Sequence, residues 1–191
     1  MALYNLILII LYPFIVIRIL FTTITRKDPL KYFLWRIGFS ENITKKDSIW
    51  IHASSIGETK SALKLIDEFK SNNISLSFVI STTTYSPTKL LRDRVDIQHL
   101  VIPFDFFFST KRFINKINPK ILILIETELW PNLISICNSK NIPIFIANAR
   151  LSKKTINTNK FIKKIYAQTL SKINKILCKS EREAEKYYTL G

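Results

Sequence analysis

Two short stretches hold most of the residues able to do chemistry: Ser54, Ser55, Ile56, Gly57 and Glu58, and then Glu126, Thr127, Glu128, Leu129, Trp130, Pro131 and Asn132. A carboxylate within hydrogen-bond reach of a hydroxyl can take its proton as that hydroxyl attacks, and a helix N-terminus keeps such a group ionised. Glu58 fits that role. The Ser55 to Glu58 spacing is also that of a capping box, in which the serine oxygen accepts one backbone amide and the glutamate reaches back to another. The chain has only three glycines, and placing one at Gly57 points to a backbone that bends sharply or lets a ligand come close. Glu126 and Glu128 stand at the end of the apolar run 121–125. Acids in a first helical turn oppose the macrodipole, and Pro131 is tolerated there, yet two acids flanking a threonine exceed what a helix start requires.

The elements that must carry these groups alternate. Apolar, β-branched runs predict strands over 48–53, 75–81, 97–102, 121–126, 142–148 and 175–178. Between and after them, helical spacing predicts helices over 58–70, 88–94, 110–117 and 128–139, one around Phe161, Ile165, Tyr166, Thr169 and Leu170, and one over 180–188. The stretch 153–164 reads as a solvated loop leading into a helix. Such alternation means right-handed βαβ units and an α/β fold, a Rossmann-like doubly wound parallel sheet. Ligands of such sheets bind at the carboxyl ends of the strands. At those ends this chain puts Ser54, Ser55, Gly57 and Glu58, then Thr82, Thr83 and Thr84, Pro103 and Asp105, Glu126 and Glu128, and Asn148 and Arg150. A polar cleft on one rim follows.

Composition narrows the partners. A hydrophobic content of 47% in 191 residues supports a real core, and a net charge of +15 favours a polyanionic partner: nucleic acid, an anionic membrane or a phosphorylated substrate. The lysines are dispersed, and aromatic and basic residues do not interleave on one face, which argues against nucleic acid. Residues 3–24 are apolar apart from a few polar positions and approach the roughly 20 residues that cross a bilayer; Arg18 makes a full span marginal. The segment reads as an N-terminal membrane-anchor helix that either spans or lies in the interface, against a buried core helix as the competing reading. Arg26, Lys27, Lys31 and Arg36 follow it and would keep the rest of the chain in the cytoplasm. The expected organisation is an anchor with a basic linker over 1–36 and the sheet domain over 37–191. Cys137 and Cys178 are isolated in apolar surroundings, as core thiols of a reducing compartment. His52, beside Trp50, reads as a hydrogen-bonded core histidine. Metal-ligand spacing, a phosphate-binding glycine loop, a dinucleotide fingerprint and a nucleophile elbow are all missing from the sequence, so neither a cofactor nor a protein-held metal is expected.

The run Trp50 through Glu58, the triplet Pro103, Phe104 and Asp105, the run Glu126 through Asn132, and Asn148, Ala149, Arg150, Leu151 and Ser152 occur in that order. Together, and onward through Gln168 to Leu190 and Gly191, they resemble the N-terminal half of the bacterial 3-deoxy-D-manno-octulosonic acid (Kdo) transferases of lipopolysaccharide synthesis. The resemblance implies the N-terminal domain of a two-domain GT-B glycosyltransferase, inverting and metal-independent. Such an enzyme moves Kdo from CMP-Kdo to a phosphorylated, acylated lipid A precursor at the cytoplasmic side of the inner membrane. It implies Glu58 as general base and Glu126 and Glu128 as site residues, Glu126 before Glu128; the residues themselves add Ser54, Ser55, Gly57, Thr83, Asn148, Arg150 and Lys153 as an expected acceptor side, with Arg150 and Lys153 on phosphates. Pro87, after Tyr85 and Ser86, stands where the family has a glycine. The length is about half that of a two-domain enzyme. The expectation is therefore that the nucleotide-sugar domain is absent, that the isolated chain is inactive, and that a separate C-terminal polypeptide completes it. The alternative is a truncated, non-catalytic module that binds lipid A or phospholipid at the membrane.

Overall fold

The computed structural model describes residues 2–24, 29–40, 44–45, 47–72, 76–84 and 88–190, without the side chains at positions 2, 22, 29, 88, 153 and 154. Arg26, Lys27, Tyr85, Ser86, Pro87, Gly191 and the Lys153 side chain thus lie outside the described residues. The elements in order are α1 (Ala2–Ile24), α2 (Pro29–Arg36), β1 (Ile49–His52), α3 (Ile56–Ser71), β2 (Phe78–Thr82), α4 (Thr88–Leu91), β3 (Ile97–Val101) and α5 (Phe107–Ile117). They continue with β4 (Ile121–Ile125), α6 (Pro131–Ser139), β5 (Ile144–Ala149), α7 (Lys153–Ile156), α8 (Lys160–Leu170), β6 (Lys175–Cys178) and α9 (Glu181–Tyr188).

All strand pairs are parallel, and the order is β3-β2-β1-β4-β5-β6. This is the α/β doubly wound sheet expected. Its central strands read as unbroken apolar runs because helices cover both faces. Trp50, Val79 and Leu124 point to one side, where Phe113, Ile114 and Leu133 meet them; Ile49, Ile51 and Ile80 point to the other, onto Ala62 and Ile66. Trp50 and Phe113 meet edge to face with ring centroids 5.6 Å apart, worth about 1 kcal/mol beyond their burial.

The strand order has one consequence for chemistry. β1 pairs with β4 in the register Ile49 with Ile121 through His52 with Leu124, so the turn after β1 and the turn after β4 lie side by side. The chain proceeds outward in opposite directions from these two strands, and a crevice opens at the carboxyl ends of such a switch point. Glu58 and Glu128, 70 positions apart in sequence, become neighbours for that reason.

Three local expectations are corrected. The basic linker is a helix at 29–36: Tyr32 and Trp35 pack with Val101, and Arg36 is buried. Arg36 Nη1 donates to Ile102 O at 2.6 Å and its guanidinium lies 3.8 Å from the Phe104 ring centroid. Burial lowers its pKa to about 10, which leaves it charged at neutral pH. Second, α6 begins at Pro131, not at 128, because proline occupies the first helical turn and residues 126–130 run outside it. Third, α7 forms within the stretch read as a solvated loop.

Trp130, the residue preceding α6, makes no side-chain cap bond. The cap comes from Asp105, which accepts the amides of Asn132 (2.8 Å) and Leu133 (2.9 Å). Asp105 also accepts the hydroxyl of Tyr4 at 3.0 Å, so one buried carboxylate joins the end of β3, the start of α6 and α1.

Candidate active site

Ser55 starts α3 with extended backbone and its Oγ accepts the amide of Glu58 at 3.2 Å. Glu58 folds back, and its Oε2 accepts the amide of Ser54 at 2.7 Å. The capping-box geometry is therefore realised, shifted by one residue on the amide that glutamate reaches. One carboxylate oxygen is committed to the helix start, and the residue is nearly buried, 9% exposed.

Ser54 joins this carboxylate to the next. Its hydroxyl lies 3.2 Å from His52 Nε2, and it stands close enough to Glu128 to act on that carboxylate electrostatically. His52 is fully buried, with Nδ1 3.0 Å from Ser81 O and 2.9 Å from Ser81 Oγ. A carbonyl only accepts, so Nδ1 carries the proton and Nε2 is free to accept from Ser54. Thr83 Oγ1 donates to Ser54 O at 3.0 Å and so braces the same turn. Glu128 is half-buried, and its Oε2 accepts Trp130 Nε1 at 2.9 Å. Burial raises the Glu128 pKa, opposed by the nearby Ser54 hydroxyl and the Trp130 hydrogen bond and reinforced by the charge of Glu58.

Glu126 has φ +61°, a left-handed conformation that costs a side-chain-bearing residue about 1–2 kcal/mol. A two-point pair holds it: Arg150 Nε donates to Oε2 at 3.0 Å and Nη2 to Oε1 at 2.7 Å. Asn148 is also left-handed, φ +57°, at the register shift between Ala147 and Ala149 where β5 meets β6. Thr127 Oγ1 donates to Arg150 O and contacts the Tyr187 hydroxyl at 2.6 Å, tying this rim to α9. An anion at Arg150 would share the guanidinium with Glu126.

A cleft of about 530 Å³ opens between these turns, with Glu126, Glu128 and Trp130 on one wall and Arg150, Ser152 and Thr155 on the other. Tyr4 of α1 and Tyr166 of α8 close it. Sequence reasoning overlooked Thr127, Ser152, Thr155, Tyr4 and Tyr166 as cleft residues. The run Arg150, Leu151, Ser152 after a strand end could have flagged Ser152; Tyr4, remote in sequence, gave no signal. Among the described residues, no group of three or more His, Cys, Asp or Glu is placed to hold a metal.

Gly57 requires a correction. It sits in the first turn of α3 without a positive φ, and a Cβ there would meet only Ser55 Oγ, at 3.9 Å. No sharp bend demands glycine there. Gly57→Ala should hold or raise stability, by about 0.5–1 kcal/mol from helix propensity, while weakening acceptor binding in a titration. Unchanged binding would leave the glycine without a role.

The family described as 3-Deoxy-D-manno-octulosonic-acid transferase (kdotransferase) matches residues 32–191. The chain belongs to this Kdo transferase family. It is 38% identical over 162 residues to the 3-deoxy-D-manno-octulosonic acid transferase of Haemophilus influenzae, covering 82% of this chain and 38% of that protein. Against the transferase of the same name from Rickettsia bellii it is 29% identical over 196 residues, 100% of this chain and 46% of that one. A bifunctional glycosyltransferase/methyltransferase of Fusobacterium nucleatum is 34% identical over 170 residues, 86% of this chain and 27% of that one. The chain thus spans less than half the length of these curated relatives. The matched region contains both carboxylate turns; the turn after β4 walls the cleft and the turn after β1 does not, so Glu58 stands outside its lining.

Two buried titratable groups give this half of the fold opposed pH slopes. Burial pushes the Asp105 carboxyl up to about 7, against the pull of the Asn132 and Leu133 amides, and lowers His52 to about 4. A raised acid contributes stability at low pH that is lost as pH rises from about 4 to about 7; a depressed histidine contributes stability above about 6.5 that is lost as pH falls to about 4. The Asp105 slope is worth about 4 kcal/mol and the His52 slope about 3 kcal/mol. Urea titrations should therefore show Asp105→Asn losing stability on acidification and His52→Gln losing it on raising the pH, with the parent flatter than either. Parallel slopes in both variants would contradict the assignment.

Proposed function

We propose that this chain is the acceptor-binding portion of a Kdo transferase. It holds a phosphorylated, acylated glucosamine disaccharide of the lipid A precursor type in the cleft while Glu58 takes the proton from the attacking hydroxyl and Kdo passes from CMP-Kdo. Inversion follows from a single displacement at the anomeric carbon. The observation that carries the reading is the meeting of Glu58, Ser54 and Glu128 at the junction of β1 and β4. There, Glu58 sits in the first turn of α3. The Ser54 amide holds Glu58 in place, and Glu128 is available to hydrogen-bond a second sugar hydroxyl. Arg150, Lys153 and the overall charge of +15 suit an acceptor that carries phosphates. The CMP-Kdo donor is assigned to a separate C-terminal region like the remaining length of the relatives, and the site of action to the cytoplasmic side of the inner membrane.

Titration with the acylated, doubly phosphorylated disaccharide tests this directly. The chain should bind it, and Ser152→Trp, which fills the cleft from an exposed position, should weaken binding by at least about tenfold, or 1.4 kcal/mol. Equal affinity in the filled variant would place the acceptor elsewhere.

A further inference from the structure

Arg150 gives one edge of its guanidinium to Glu126 and keeps the other. Nε and Nη2 hold the carboxylate at 2.7 to 3.0 Å, whereas Nη1 has no partner among the described residues. A planar fork accepts phosphate as readily as carboxylate, so the end led by Nη1 can take an anion while Glu126 stays in place. Glu126 reaches this position from its left-handed backbone, φ +61°, a conformation that persists only where the surroundings over-determine it.

The main chain beneath the guanidinium is fixed as fully as the side chain. Thr127 Oγ1 donates to Arg150 O, so it accepts from Arg150 N at 3.2 Å and from the Tyr187 hydroxyl at 2.6 Å, which fills every position on that oxygen. Leu151 N donates to Glu183 Oε2 at 2.9 Å, and Lys186 Nζ donates to Leu151 O at 3.3 Å. Four consecutive backbone groups are thus bonded at the rim of the cleft. Nearby, the Ser152 and Thr155 hydroxyls meet at 2.8 Å, and Ser152 Oγ accepts Thr155 N at 3.1 Å. Whichever hydroxyl donates, the other keeps a proton for a ligand oxygen.

We propose that Glu126 is a positioning residue: it fixes the Arg150 guanidinium so that the open end reads a phosphate monoester on the acceptor sugar. This deepens the acceptor-binding reading and rests on it. Glu126 then makes no sugar contact of its own, and hydroxyl recognition falls to Glu128. A carboxylate beside a phosphate also repels it, but the pair is open to water, with Arg150 55% and Glu126 24% exposed, and that repulsion is screened. Solvent does nothing to lessen the entropy lost when an unheld arginine is ordered. Orientation therefore outweighs repulsion.

Titration of the whole chain with the acylated disaccharide, doubly phosphorylated or dephosphorylated, tests this. The parent should prefer the phosphorylated form by at least about tenfold. Glu126→Ala should weaken binding of that form by about tenfold and leave the other unchanged, at an unaltered urea midpoint. Glu126→Gln keeps an oxygen for Nε and should stay within about threefold of the parent. In an Arg150→Gln background the effect of Glu126→Ala should vanish, because the residue acts only through the guanidinium. Arg150→Lys keeps the charge without the fork and should by itself remove the preference for phosphate.

Equal loss of both ligand forms in Glu126→Ala would make Glu126 a direct sugar contact and overturn the proposal. Tighter binding of the phosphorylated form, matching losses in the alanine and glutamine variants, an effect that survives without Arg150, or a preference retained in Arg150→Lys would each overturn it as well. A parent that binds both forms equally ends this proposal alone. A parent that binds neither ends the acceptor reading with it.

Discussion

Glu58→Gln is expected to lower the rate of Kdo transfer by about a thousandfold, the range of a lost general base, with acceptor affinity and fold unchanged. The glutamine substitution separates two jobs that the structure gives one side chain. An amide oxygen at this position still accepts the Ser54 N–H, so the start of α3 stays capped. It cannot accept the proton of an attacking hydroxyl. Glu58→Ala should fail on both counts, losing the rate and about 1 kcal/mol of stability. The assay pairs this chain with the C-terminal portion of a Kdo transferase and follows labelled Kdo into the acceptor. Full activity in Glu58→Gln would reduce Glu58 to a cap and assign the proton transfer to another group.

Asp105→Ala should be the most destabilising single change on the sheet rim, by about 3 kcal/mol, because it leaves two amides of α6 and the hydroxyl of Tyr4 without their acceptor in a dry site. Removing a buried charge offsets part of that loss, which keeps the figure below the sum of the separate bonds. Loosening of α1 should accompany it. Hydrogen exchange should therefore speed up at Asn132 and Leu133 and along the first turns of α1, while β2 and α3 remain protected. A loss below about 0.5 kcal/mol, within the range of an ordinary surface substitution, would show that α6 needs no external cap.

The alternation of apolar runs with helical spacing made the parallel sheet legible, since the strands from Ile49 to Cys178 are short and rich in isoleucine and the stretches between them carry helical spacing. The neighbourhood of β1 and β4 was less accessible, because the order of strands depends on contacts between distant segments. Arg36 shows a second limit: an arginine after a basic stretch reads as solvated, and only the Ile102 carbonyl and the Phe104 ring make it a buried anchor of α2. Asp105 was visible as a rim residue, but a carboxylate that caps a helix beginning at Pro131 leaves no local spacing to find. At the site, Glu58 carried both of its readings in one motif, and the left-handed turns at Glu126 and Asn148 had no glycine to announce them. The Arg150 pairing that holds Glu126 is likewise a tertiary fact.

The central claim is spatial, and a structure of the chain with the acylated, phosphorylated glucosamine disaccharide bound tests it most directly. The account predicts the sugar in the cleft beside Glu128 and Arg150, with the hydroxyl destined for transfer about 2.6–3.2 Å from a Glu58 carboxylate oxygen. A bound disaccharide whose hydroxyls all lie beyond reach of Glu58, with that carboxylate still closed on the Ser54 amide, would contradict it.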